Sequence, residues 1–126
     1  MNDSSLNPYD GIGLSAVELA AQIGAKAIFC FTESGETAKK ISKYRPTCPI
    51  YALSQNDSSL TSLALYWGVN AYKKVKYANI ETKYDIVNQE AKKRGLKTGD
   101  YVIITGGHPD NTPITNFLKV LQIDLD

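Results

Sequence analysis

Two cysteines, one histidine, one tryptophan and one methionine among 126 residues leave little room for several chemistries. A structural zinc site takes four ligands, and Cys30, Cys48 and His108 supply three. A disulfide-built scaffold needs far more cysteine than this. Cys30 lies inside an apolar run and Cys48 just before another, so both read as buried thiols in a reducing compartment. Charge of one sign is also missing: 14 Lys and Arg face 13 Asp and Glu, a net +1. That balance offers no electrostatic case for nucleic acid or a membrane surface. No apolar run approaches the roughly 20 residues of a membrane span. Residues 1–13 are polar and turn-forming, without a basic-then-apolar targeting pattern. The expected location is the cytoplasm.

What remains is an ordinary globular composition, 43% hydrophobic and 21% charged, which argues for one folded domain. Residues 1–13 read as an arm or linker and 14–126 as the domain. Ser15 and Glu18 form a capping box at the start of a first helix closed by Gly24. Ala25 to Phe31 has the length and aromatic content of a buried parallel strand. A turn and a basic helix follow, stopped at Arg45 by Pro46. Pro49 to Leu53 reads as a second strand. Leu60, Leu63, Ala64 and Trp67 then give a helical stripe ended by Gly68. Val69 to Val75 is a third strand, and Thr82 and Asp85 open a helix lined by Tyr84, Val87 and Ala91. Tyr101 to Thr105 and Phe117 to Ile123 close the chain as strands. The alternation predicts an α/β fold with a mostly parallel sheet. The last two strands are joined too closely for a helical crossover, so as neighbours they must be antiparallel.

Gly11-Ile12-Gly13-Leu14-Ser15-Ala16 matches a dinucleotide-binding pattern on paper. That pattern works only after a strand, and Asn7-Pro8-Tyr9-Asp10 precedes it here, so it reads as a loop into the first helix. Thr32, Ser34, Gly35 and Thr37 are the stronger candidate. They sit between a strand and a helix N-terminus, where N–H groups and the helix dipole favour a phosphate. Ser34 can act as N-cap and Gly35 admits close backbone approach. Local capping by the same hydroxyls is the competing reading. Ligands in open α/β sheets bind beyond the carboxyl ends of strands, which favours binding. His108, after the strand at Tyr101 to Ile104, reads as solvent-exposed or ligand-touching. A general base would need a nucleophile and an orienting group that are not at hand. Lys39, Lys40, Lys43 and Arg45 read as a solvated helix face.

The run Thr32-Glu33-Ser34-Gly35-Glu36-Thr37-Ala38, followed by Lys43-Tyr44-Arg45-Pro46 and Pro49-Ile50-Tyr51-Ala52, resembles the C-terminal domain of pyruvate kinase. Ser15-Ala16-Val17-Glu18, Trp67-Gly68-Val69, Thr98-Gly99-Asp100 and Thr115-Asn116 continue the resemblance in order. It implies a three-layer α/β/α domain with a five-stranded, mostly parallel sheet and an antiparallel last strand. It implies a regulatory and oligomerisation role in an enzyme that moves phosphate from phosphoenolpyruvate to ADP in glycolysis. Magnesium and potassium would belong to that full enzyme, and no cofactor to this chain. The active site would lie in a barrel of roughly 250 residues, so this chain by itself is expected to be non-catalytic. Its expected partners are that barrel, further copies in a tetramer, and a sugar-phosphate or other anion.

By position, the resemblance assigns Thr32, Ser34 and Thr37, with Gly35, to one phosphate of fructose bisphosphate. Lys83 stands where effector-responsive animal forms carry an Arg, and the loop from Gly106 to Pro113, with His108, resembles a segment that folds over the ligand. Two departures matter. Glu33 stands where responsive animal forms have Lys, and Asp110, Asn111 and Pro113 stand where the family often has Gly. A free-standing paralogue that binds a phosphorylated metabolite is the alternative reading.

Overall fold

The computed structural model describes residues 10–32, 35–55, 68–74, 76, 80–107 and 117–125. In chain order the elements are α1 (Asp10–Ile23), β1 (Ile28–Phe31), α2 (Glu36–Lys43), β2 (Ile50–Ser54), β3 (Val69–Lys74), α3 (Ile80–Lys93), β4 (Tyr101–Gly106) and β5 (Phe117–Gln122). The strands lie in the order β3-β2-β1-β4-β5. β1 pairs in parallel with β2 and β4, and β2 with β3. β5 runs antiparallel to β4, with Tyr101 opposite Gln122 and Gly106 opposite Phe117. The α/β class, the parallel centre and the antiparallel last strand agree with the sequence pattern. The helical stripe expected from Leu60 to Trp67 lies outside the described residues.

β1 organises both sides of the sheet. Successive side chains of a strand point to opposite faces, and all four residues of β1 are buried. Ile28 and Cys30 enter one cluster with Ala16 and Ala20 of α1 and Ala38 and Ile41 of α2. Phe29 and Phe31 enter a second with Val87 and Ala91 of α3, Val102, Ile104 and Ile123. The helices before β1 and after it therefore share one face, and α3 covers the other. Two reciprocal contacts join α3 to β5: the Lys83 ammonium lies over the Phe117 ring at 5.4 Å, and the Lys119 ammonium over Tyr84 at 5.2 Å. The chain end is tied down near Asn88 and Thr98, which accept hydrogen bonds from the Asp124 and Leu125 N–H groups at 3.2 and 3.0 Å.

Three helix-boundary expectations need correction. α1 begins at Asp10, so Ser15 is an exposed residue inside the helix and not its N-cap. The Gly11–Ala16 segment is accordingly helical rather than a loop. Packing overrides glycine's poor helix propensity here: an added Cβ on Gly13 would lie 3.6 Å from Ile41 Cγ1, so the small residue lets α1 approach α2. At the start of α2 the N-cap is Gly35, in the left-handed region at φ 85°, with no side-chain capping bond. The end of α2 follows the expected stop before Pro46. The Tyr44 and Arg45 N–H groups bond back to the Ile41 and Ser42 carbonyls, and Arg45 itself takes φ 54°. A residue before proline is disfavoured from continuing a right-handed helix.

Two predictions follow from the packing. Burial pushes the Cys30 thiol up to about 12 from its ordinary 9.0, and the Thr105 hydroxyl lowers it only slightly. That hydroxyl has no partner at hydrogen-bond geometry, so its effect on the sulfur is a weak dipolar one. Burial raises the Cys48 thiol as well. A raised folded-state value gives stability that is complete below 9.0 and declines as the unfolded chain ionises above it. Urea melts should therefore show stability falling above pH 9.0, by up to about 1.4 kcal/mol per pH unit for each thiol. A flat profile through that range would contradict the burial. Gly106 makes the second case. An added Cβ would sit 3.0 Å from Phe117 Cε2 and 3.4 Å from Phe31 Cβ. Gly106→Ala should cost about 1–3 kcal/mol by overpacking, measured as a lowered urea midpoint with the slope unchanged.

Candidate anion site at the carboxyl edge

All three parallel pairings point β1, β2 and β4 the same way, so their carboxyl ends share one edge of the sheet. Thr32 leaves β1 at that edge, its N–H still donating to the Leu53 carbonyl at 2.9 Å. Its side chain is buried, 6% exposed, and Oγ1 accepts a hydrogen bond from the Gly35 N–H at 2.9 Å. This bond closes a short turn that delivers the chain into α2. Gly35 fits because φ 85° lies in a region where a Cβ is penalised. The first intrahelical bond runs from the Lys39 N–H to the Gly35 carbonyl. The N–H groups of the preceding residues have no such partner in any α-helix and point out of its start.

Thr37 is half-buried on the first turn of α2. Glu36 pairs with Lys39 at 3.6 Å, which offsets its own charge near the turn. Lys40, Lys43 and Arg45 are exposed, as the solvated-face reading expects. Ser34, Glu33, His108, Asp110, Asn111 and Pro113 lie outside the described residues. Thr32, Gly35 and Thr37 are thus brought together in one turn.

Lys83 reaches the same edge from the opposite face, on the α3 side. It is 1% exposed. Its ammonium stands 5.4 Å from the ring centroids of both Phe31 and Phe117 and donates to the Gly107 carbonyl at 3.5 Å. Burying a charge in a protein costs several kcal/mol unless it is compensated. Two ring faces at about 0.5–2 kcal/mol each, with a charge-assisted hydrogen bond, supply much of that compensation. Sequence reasoning treated Lys83 as a ligand-facing cation and missed its burial. The signal was present: Lys83, Val87 and Ala91 recur every four residues, the spacing of one helix face.

Among the described residues, no group of three His, Cys, Asp or Glu side chains gathers to hold a metal. No described helix is long and apolar enough to cross a membrane. An open depression of about 380 Å³ lined by Lys26, Gly95, Leu96, Lys97 and Asp100 lies at the amino edge of the sheet, away from the turn. It has neither hydroxyls nor a strand-to-helix turn among its lining residues.

The family model described as "Pyruvate kinase, alpha/beta domain" matches residues 10–121. Its first matched residue is the first residue of α1. The pyruvate kinase of Lactobacillus delbrueckii subsp. bulgaricus is 39% identical over 118 residues, 93% of this chain and 20% of that protein. That of Sporosarcina psychrophila is 37% identical over 116 residues, 90% of this chain and 20% of the relative. That of Clostridium perfringens is 36% identical over 132 residues, 98% of this chain and 27% of the relative. The chain therefore spans only 20–27% of the length of these relatives. With the match running from α1 through nearly all of β5, the chain belongs to the pyruvate kinase alpha/beta domain family.

Proposed function

We propose that this chain is the regulatory and oligomerisation domain of a pyruvate kinase, and that its Thr32–Thr37 turn holds a phosphate of an effector. The observation that carries the reading is the turn itself: a buried hydroxyl, a left-handed glycine and a helix start meet at the carboxyl edge of a parallel sheet. The capping bond from Gly35 does not compete with binding. A threonine hydroxyl is one donor and two acceptors, so Thr32 accepts from Gly35 while its own proton is available to a phosphate oxygen. Ser34 and His108 would complete the site. Transfer of phosphate from phosphoenolpyruvate to ADP, with its magnesium and potassium, would belong to residues beyond this chain.

The layering we propose is three-layer α/β/α on a five-stranded sheet, supported by one cluster on each face. Self-association is supported by the β5 edge. Tyr101 and Val120 are 42% and 38% exposed there, a sheet strip that no described helix covers.

Isothermal calorimetry with inorganic phosphate tests the turn. Wild type should bind, and Thr37→Ala and Thr32→Val should each weaken binding by about tenfold, the loss of one charge-assisted hydrogen bond. Equal affinity in all three would remove the turn from the site. Thr32→Val should also lower stability by about 1–3 kcal/mol, because the Gly35 N–H loses its acceptor.

Fructose 1,6-bisphosphate should bind wild type weakly or not at all. Glu33 and Asp110 bring negative charge toward an anion, at a Coulomb cost on the order of 1 kcal/mol for each charge a few ångströms away. Pro113 has no N–H to offer. Glu33→Lys should tighten binding about tenfold or more, since it removes one repulsion and adds one attraction. Micromolar affinity in wild type would refute the charge argument, and equal weakness in both would move the cause to the loop.

A further inference from the structure

Lys83 is the one fully buried lysine among the described residues, and its contacts have a specific distribution. Phe31 ends β1, Gly107 follows β4 and Phe117 begins β5. The ammonium touches all three, at 5.4, 3.5 and 5.4 Å. Gly107 and Phe117 flank the connection that spans residues 108–116. The Phe117 ring in turn lies against Gly106, where even a Cβ would come within 3.0 Å. One side chain from α3 therefore grips both ends of the β4–β5 connection and the last residue before Thr32.

We propose that Lys83 is a positioning residue, a buried cationic clasp that fixes both ends of the 108–116 connection to β1 and so links that connection to the Thr32–Thr37 turn. A lysine suits this role better than an apolar residue. Only a cation is drawn to two aromatic faces and a carbonyl at once, and the attraction holds the three strand ends at one geometry. The backbone link to the turn is a single peptide bond, from Phe31 to Thr32. The linkage to the turn rests on the anion-site reading given above; the clasp itself does not.

Hydrogen exchange of the peptide spanning 105–119 separates the two parts. Without phosphate, Lys83→Met, which keeps length and removes charge, should exchange there about tenfold faster than wild type, the ratio expected for one lost charge-assisted contact. Lys83→Arg should stay near wild type because it retains a cation for both rings. With phosphate present, protection of this peptide should rise in wild type and not in Lys83→Met. Should Lys83→Met fail to fold, Phe117→Leu keeps the cation, removes one ring and should show the same faster exchange. If Lys83→Met exchanges like wild type without phosphate but has lost phosphate affinity, Lys83 is a direct ligand and the clasp is wrong. Wild-type exchange in both Lys83→Met and Phe117→Leu would also overturn it. If wild type fails to bind phosphate while Lys83→Met still exchanges faster, the clasp stands and only the anion reading falls.

Discussion

The buried two-faced strand β1 is the constraint on which the rest depends. Its neighbours on either side run parallel to it, and parallel strands cannot be joined by a tight turn. Each connection must cross over a face of the sheet, and each face of β1 carries residues that have to be covered. Ile28 and Cys30 demand α1 and α2; Phe29 and Phe31 demand α3. Parallel pairing also gathers the strand carboxyl ends at one edge. The geometry that makes an anion site possible is thus a by-product of how the core is covered, and it precedes any particular ligand.

Much of this was legible in the sequence because it rests on local signals. The continuous apolar runs of β1 and β4, the Tyr84, Val87 and Ala91 face of α3, and the short link before β5 each reduce to period or loop length. Where the reading failed, a tertiary contact outweighed a local preference. Ser15 and Glu18 satisfy the capping pattern, yet α1 starts at Asp10 and Gly13 packs at Ile41. Ser34 is the better N-cap by residue type, but the Thr32 hydroxyl bonds to Gly35 and puts the left-handed residue at the cap. No single-residue propensity contains that choice. It depends on where β1 ends relative to β2, fixed by the bond from the Thr32 N–H to Leu53.

Charged residues were the hardest to place, for a physical reason. A lysine pattern on a helix is read as solvated because an isolated buried ammonium is so costly. Lys40 and Lys43 obey that expectation and Lys83 does not. The difference lies in Phe31, Phe117 and the Gly107 carbonyl, which belong to three strands far apart in sequence. Glu90 follows the same logic in milder form: it is buried on α3 and compensated by Lys93 at 3.6 Å and Arg94 at 4.0 Å. Those partners are three and four residues away, so its burial could have been anticipated from spacing alone.

The carboxyl edge therefore has two sides with different chemistry, separated by one residue step. On the α2 side, Thr32 turns a hydroxyl into a strand-to-helix turn. On the α3 side, Phe31 turns a ring under a buried ammonium. A flexible junction would let the two sides act independently. Here Thr32 is held by its N–H to Leu53 and its hydroxyl to Gly35, and Phe31 is 3% exposed between the sheet and α3. Displacing either side chain must move backbone that is also part of the β1–β2 ladder. Interiors packed this closely resist small continuous adjustments, so a change at the hydroxyl side is felt at the cation side through the strand itself.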